Sequence, residues 1–279
     1  MRFLINIALK NMFRNKLRTA VSILAIAFAV MVIVFARGLI DGMVESSYSL
    51  YINYDTGHIK IIDEEYRQKE KLLSLAYTVD GIGEKSLSEM SRDLENMPGI
   101  ELAVPRIKFG AAVSTEEELV QMLGWGVIGE KELQFTNIDR EIQEGRMVED
   151  GKREVVMGSV LLNKIDKKVG EKVTMVYNTA FQSFKGATFE IVGKIESSLP
   201  LLNEDVVFMP FDTAQHLLYL DGASTELLLL TENRDKVEEI MPAVNNYLKE
   251  NNNSRYIAEN WREGNSFIQL LEVSKKIYG

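Results

Sequence analysis

The chain has 279 residues, 46% of them hydrophobic and 26% charged, with 19 Gly, 5 Pro and no Cys. This composition excludes collagen-like, disordered and disulfide-framework proteins. A net charge of −9 argues against nucleic acid as a partner, because an acidic surface repels phosphate.

The charge is segregated along the chain. Residues 1–40 contain Arg2, Lys10, Arg14, Lys16, Arg18 and Arg37 and no acid, a net of +6. Residues 41–279 hold all 41 acidic residues against 26 basic ones, a net of −15. Within residues 1–18, Phe3, Leu4, Ile7, Met12, Phe13 and Leu17 interleave with the cations. That pattern predicts a cytoplasmic amphipathic segment lying on the membrane surface, its cations meeting anionic headgroups.

Ala20–Ala36 follows, with Ser22 its only polar residue. As a helix this run is about 26 Å long at roughly 1.5 Å per residue. Arg37 can snorkel, and Gly38–Ile40 extend the stretch to about 31 Å, close to the hydrocarbon thickness of a bilayer. We therefore expect a transmembrane helix over residues 19–43. The positive-inside rule puts the N-terminus in the cytoplasm and the acidic body outside it, which for a bacterium means the inner membrane and the periplasm. A cleaved signal peptide fits less well, since it has an apolar core of about 7–15 residues and a small-x-small exit. This run is longer and ends Val34-Phe35-Ala36-Arg37.

The extracytoplasmic body is long enough for two small cores. Gly57–Ile62 reads as a strand and Asp63–Gly83 as a loop or short helix. Glu84–Met97 is helical, with Leu87, Met90, Leu94 and Met97 on one face and Pro98-Gly99 as its stop. Ile100–Phe109 is a strand in which Pro105 indicates an edge or a bend. Near the end the same order recurs: a strand over Thr225–Thr231, Asn233 as a cap, a helix over Asp235–Glu250 and a strand over Arg255–Ala258. Two strand-helix-strand units predict an α+β fold with a split ferredoxin-like lobe formed by residues 44–110 and 224–265. Residues 111–223 read as a mainly β inserted lobe, with strands over Glu118–Trp125, Glu154–Met157, Lys172–Tyr177, Thr188–Ile195 and Asp205–Met209. Helices are expected over Ser159–Ile165 and Phe211–Leu220, the flanking units lying near the membrane and the insertion distal to it.

Signals for catalysis are poor. Gly124-Trp125-Gly126-Val127-Ile128-Gly129 spells a dinucleotide fingerprint. Glu130 and Glu132 bracket Lys131, however, and Arg146 stands where an acid is required. Gly83-Glu84-Lys85-Ser86 lacks the Gly-Lys pair of a phosphate loop, and Ser86 is better read as the start of a helix. His58 and His216 are the only histidines, with no ligand spacing around them, so no metal and no cofactor is expected. Asp63-Glu64-Glu65 and Glu116-Glu117-Glu118 read as solvated surface. No catalytic residue is expected, and the chain is not read as an enzyme.

Ile7-Ala8-Leu9-Lys10-Asn11-Met12-Phe13-Arg14-Asn15-Lys16-Leu17-Arg18-Thr19 resembles the approach to the first membrane helix of MacB/FtsX-type ABC transporter permeases. Glu144-Gly145-Arg146-Met147, Glu154-Val155-Val156-Met157-Gly158, Val169-Gly170-Glu171-Lys172-Val173, Phe189-Glu190-Ile191-Val192-Gly193 and Val207-Phe208-Met209-Pro210 are similar to that family's periplasmic domain. Thr56-Gly57-His58-Ile59-Lys60-Ile61 and the ending around Trp261-Arg262-Glu263 resemble the lipoprotein-releasing members of the LolC/LolE kind.

The resemblance implies the N-terminal part of a four-helix permease, with residues 266–279 approaching a second membrane helix. It implies an ABC ATPase subunit dimer on the cytoplasmic side, a second permease copy or paralogue, and contact with membrane lipids. Lipoprotein-releasing members lift a lipoprotein substrate from the outer leaflet and pass it to a periplasmic chaperone. Efflux of the MacB kind, mechanical signalling of the FtsX kind, and a single-span anchored binding module without an ATPase are the alternatives. On this basis Met31, Val34, Phe35, Leu39, Ile40 and Met43 are candidates for a lipid cavity or gate. The hairpin Lys172–Ile195 has its tip at Asn178–Gly186, where Phe181, Gln182 and Phe184 are candidates for the chaperone or partner contact.

Overall fold

The computed structural model describes residues 14, 16–115, 118–251 and 255–263. The expected surface segment over 1–18 and the approach to a second helix over 266–279 lie wholly or largely outside them. The chain divides into two compact units, Met1–Ser49 and Leu50–Gly279.

Helix α1 runs from Lys16 to Tyr51 and contains the expected span. It is the one helix among the described residues that is long and apolar enough to cross a membrane, and its most apolar window buries nothing within the protein. A helix suits lipid because every backbone group bonds within it. Two of its serine hydroxyls do likewise: Ser22 Oγ donates to Arg18 O at 3.0 Å and Ser47 Oγ to Met43 O at 2.9 Å. A single π turn, Ile52–Thr56, ends the helical run, and Gly57 N closes it on Ile52 O at 2.8 Å.

In the second unit, β1 (Ile59–Asp63) leads into the short helix α2 (Glu64–Lys69), the two-residue strands β2 (Gly81–Ile82) and β3 (Lys85–Ser86), and helix α3 (Leu87–Glu95). Ser86 caps α3 in a capping box: its Oγ accepts from Glu89 N, and Glu89 Oε2 accepts from Ser86 N at 2.8 Å. Strand β4 (Ile100–Ser114) is followed by β5 (Leu119–Val127), α4 (Gly129–Thr136), β6 (Ile142–Gly145), β7 (Glu154–Gly158) and α5 (Ser159–Lys164). Next come β8 (Lys172–Asn178), β9 (Phe184–Ile195), α6 (Pro200–Glu204), β10 (Val206–Pro210), α7 (Phe211–Leu218), β11 (Glu226–Thr231), α8 (Val237–Glu250) and β12 (Tyr256–Asn260).

The strand order β12-β1-β11-β4, antiparallel throughout, is that of a ferredoxin-like sheet. Helix α3 buries Leu87, Met90 and Leu94, and α8 buries Val237, Val244 and Leu248. The remaining strands close on themselves. β4 pairs with β5, β5 with β10, β10 with β7, β7 with β9, β9 with β8, and β8 returns to β4. The register turns Phe109, Met157, Met175, Phe189 and Val207 to the inner face of this six-stranded barrel. Trp125, Val127, Val156 and Phe208 lie on its other face, in a core shared with Tyr54, Ile138 and Leu202, with the Trp125 and Phe208 rings edge to face at 5.3 Å.

Strand β4 belongs to both assemblies and runs through the expected boundary at 110/111. Its first half has β11 on one side and no described strand on the other, and there Pro105 sits. Arg106 O accepts from Thr225 N, and Lys108 N donates to Thr225 Oγ1. Alternation therefore turns the Pro105 nitrogen to the unpartnered side, where a missing N–H breaks no ladder.

Candidate functional site

Met31, Phe35, Leu39 and Met43 follow one another along α1 at four-residue spacing, each step turning about 40° around the axis. All four are largely exposed, as are Val34 and Ile40. Val34 stands three residues from Met31 and Ile40 three residues from Met43, so the two flank opposite ends of this stripe.

The second candidate group lies on the β8–β9 turn. The strands run on to Asn178 and start again at Phe184, so the tip is Thr179–Ser183 and shorter than the sequence suggested. It is tightly built. Thr179 N donates to Ser183 O at 3.0 Å, Gln182 N donates to Thr179 O at 2.9 Å, and Ala180 N donates to Leu218 O at 3.0 Å. Gln182 takes a left-handed φ of 56°, which the turn imposes on a residue other than glycine. Phe181 and Phe184 are 77% and 83% exposed. The Phe181 ring lies 5.7 Å from that of Tyr219, at the end of α7. A cavity of about 310 Å³ opens beside the tip, lined by Leu72, Leu73, Asn178, Thr179 and Gln182 among others.

The third group went unnoticed in the sequence. Beneath the π turn, Arg106 is fully buried. Its Nη1 donates to Tyr54 O at 2.8 Å and its Nη2 to Glu132 Oε1 at 2.7 Å, and the guanidinium lies 4.7 Å from the Trp125 ring. Lys108 Nζ donates to Asp55 Oδ1 at 2.9 Å and lies 3.3 Å from Glu226 Oε1. Farther along the same sheet Lys60 pairs with Glu70 at 2.8 Å. Burial would raise the Asp55 carboxyl, but Lys108 and then Lys60 outweigh it and hold that carboxyl well below the usual range. For Glu226 and Glu132 burial prevails over the cations and pushes both carboxyls up. The available signal was two cations two residues apart, Arg106 and Lys108, which share one face of a strand that is apolar from Leu102 to Pro105 and again from Phe109 to Val113.

The remaining motifs are structural. Helix α4 does open at Gly129, but a Cβ at Gly124 would stand 2.2 Å from the Phe109 ring and one at Gly129 2.2 Å from Val148 O. The glycines admit neighbouring protein atoms, and no phosphate cradle forms. Asp63 is buried, caps α2 and pairs with Arg255 Nε at 2.6 Å, which corrects its reading as solvated surface.

His58 Nδ1 accepts Thr231 N at 2.9 Å. Burial lowers this ring's pKa to about 4, and an Nδ1 that accepts an N–H is held unprotonated. A depressed base favours its neutral form in the fold, so its contribution is complete above an unfolded value of about 6.5 and is lost as pH falls toward 4. The slope is at most about 1.4 kcal/mol per pH unit. Thermal midpoints at about pH 7.5 and 5 should therefore fall further for the native chain than for His58→Gln; equal falls would assign the acid sensitivity elsewhere.

Among the described residues no cluster of His, Cys, Asp or Glu could hold a metal ion. Residues 19–247 match the MacB-like periplasmic core domain family. No curated protein matches the chain. The fold is similar to the extracellular domain of the noncanonic ABC-type transporter YknZ from Gram-positive bacteria, at 15% identity and a TM-score of 0.50 over 72% of this chain and 99% of that one. It is similar also to the periplasmic region of MacB from Actinobacillus actinomycetemcomitans, at 11% identity and a TM-score of 0.51 over 78% of this chain and 94% of that one. An N-terminal apolar helix joined to a domain of this fold fits a membrane-anchored protein with its bulk outside the cytoplasm. The chain belongs to the MacB-like periplasmic core domain family, the extracytoplasmic part of ABC transporter permeases.

Proposed function

We propose that the chain is part of a lipoprotein-releasing permease of the inner membrane, with its N-terminus in the cytoplasm. ATP hydrolysis takes place on a separate ATPase dimer, in keeping with a sequence that contains no Walker motif. The four-residue stripe Met31, Phe35, Leu39 and Met43 offers acyl chains an apolar surface as they leave the bilayer. The observation that carries the finer reading is the pair Phe181 and Phe184, two of the most exposed large apolar side chains of the second unit, held on a turn that hydrogen bonds keep rigid. Exposed aromatics on a rigid support lose little entropy on binding and commonly anchor partners. A soluble chaperone is the partner this reading assigns to them.

The test is photo-crosslinking in a complete transporter from Phe35, Ile40 and Phe181. Lipoprotein captured at the two helix positions, with a soluble chaperone captured at Phe181, is the expected outcome. Capture of a small drug-like molecule at the helix would replace release by efflux. Labelling of neither position during ATP turnover would sink the transport reading altogether.

A further inference from the structure

We propose that Arg106 and Lys108 form the joint through which displacement of α1 enters the extracytoplasmic domain. The permease reading supplies only the source of that displacement; the joint rests on the chain's own geometry. A helix leaves its last carbonyls without intrahelical donors. Helix α1 has no basic residue in its last turn, and the π turn after it closes Ile52 O on the backbone N–H of Gly57. The donors come from strand β4, 52 residues further along the chain from Tyr54. Arg106 caps Tyr54 O, and Lys108 reaches Asp55 O at 3.5 Å and the Asp55 carboxylate at 2.9 Å. Cations at this position also oppose the negative pole of the helix dipole.

Two properties make this a joint and more than a cap. Charge-assisted hydrogen bonds are short and directional, so they resist rotation as well as separation, which apolar contact does not. Both cations also stand on the strand that the sheet and the barrel have in common, each backed by a buried carboxylate, Glu132 for Arg106 and Glu226 for Lys108. Any movement of the helix end is thereby delivered to both assemblies at once. Stability alone gives a weak reason for charges here, since apolar replacements of buried ion pairs are often as stable. The residues act by position.

The test is hydrogen–deuterium exchange on the full chain in lipid nanodiscs, comparing the native protein with Arg106→Met/Glu132→Leu. The amides of Leu50–Gly57 should exchange about tenfold faster, the loss of one charge-assisted bond, with the melting temperature and the protection of β5 and β10 unchanged. Unaltered protection of Leu50–Gly57, or a loss spread evenly over the barrel, would overturn the joint. Should the double variant fail to fold, Lys108→Met/Glu226→Leu carries the same expectation, because it removes the buried carboxylate together with its cation and leaves only the part-exposed Asp55 to be solvated. A transporter that fails to move lipoprotein yet keeps the expected exchange pattern would count against the proposed function and leave the joint standing.

Discussion

Replacing Arg106 by Ala should lower the unfolding free energy of the extracytoplasmic unit by about 3–5 kcal/mol, read as a shifted midpoint in urea. The cost is mainly what the substitution leaves behind. Glu132, whose Oε1 is held by Arg106 at 2.7 Å, becomes a buried carboxylate with no cation beside it, and Tyr54 O loses its donor. Glu226 already lacks a hydrogen bond among the described residues and would be left with Lys108 and Lys60 as its cations. For a domain whose total stability is about 5–15 kcal/mol this is a large fraction. Removing charge from both sides in Arg106→Met/Glu132→Leu should cost far less. A midpoint for Arg106→Ala within 1 kcal/mol (roughly the worth of one neutral hydrogen bond) of the native protein would show that the buried charges do not depend on one another.

Gly158→Ala should destabilise the same unit by about 1–3 kcal/mol or more. The backbone at Gly158 is ordinary, with φ −68° and ψ 151°, so conformational freedom is not the reason for glycine. The reason is helix α6, which crosses against the end of β7. A Cβ at 158 would stand 2.2 Å from Leu202 O, 2.3 Å from Asn203 O and 2.4 Å from Asn203 Cα. These are main-chain atoms and cannot swing aside as a side chain would. Relief requires α6 to move as a body, away from a core that includes Leu202 and Val206. The matched control is Gly186→Ala in β9, where the new methyl would meet only ordinary contacts at 3.6 Å and beyond. Differential scanning calorimetry should separate the two by several degrees, at about 2–4 °C per kcal/mol for a domain of this size. Equal melting temperatures would mean that α6 is held more loosely than its packing indicates.

Features that depend on neighbours in sequence were legible, and those that depend on distant partners were not. The long apolar helix announced itself through an apolar run bounded by cations. The capping box at Ser86 lies within four residues of chain, and the strands of residues 100–127 were placed to within a few residues. The first residues of β9 were read as turn because Lys185 and Gly186 have little intrinsic strand preference. They are extended because Tyr177 and Val176 of β8 pair with them. Closure of the barrel rests on the pairing of Ala111 and Ala112 with Tyr177 and Val176, and no local pattern encodes a partner so far away. The same holds for the cations of β4. Arg106 and Lys108 were visible as a pair, but their purpose depends on Asp55, Glu132 and Glu226, which three other elements supply. Of the candidate site, the exposure of the two phenylalanines could be foreseen, whereas the anchoring of their turn to Leu218 could not.

The pairing of β1 dictates an order of assembly. Ile59, synthesised close behind the anchoring helix, is flanked in the finished sheet by Leu229 on one side and Asn260 on the other. Both partners emerge some 170 to 200 residues later, so this centre strand spends most of translation without neighbours, while every strand of the barrel is available once Pro210 has left the translocation channel. Non-local strand pairing is slow and exposes unpaired edges while it waits. The sheet that begins with β1 is thus the last part to close, and its unfinished edge is where a chaperone of translocated chains would be needed.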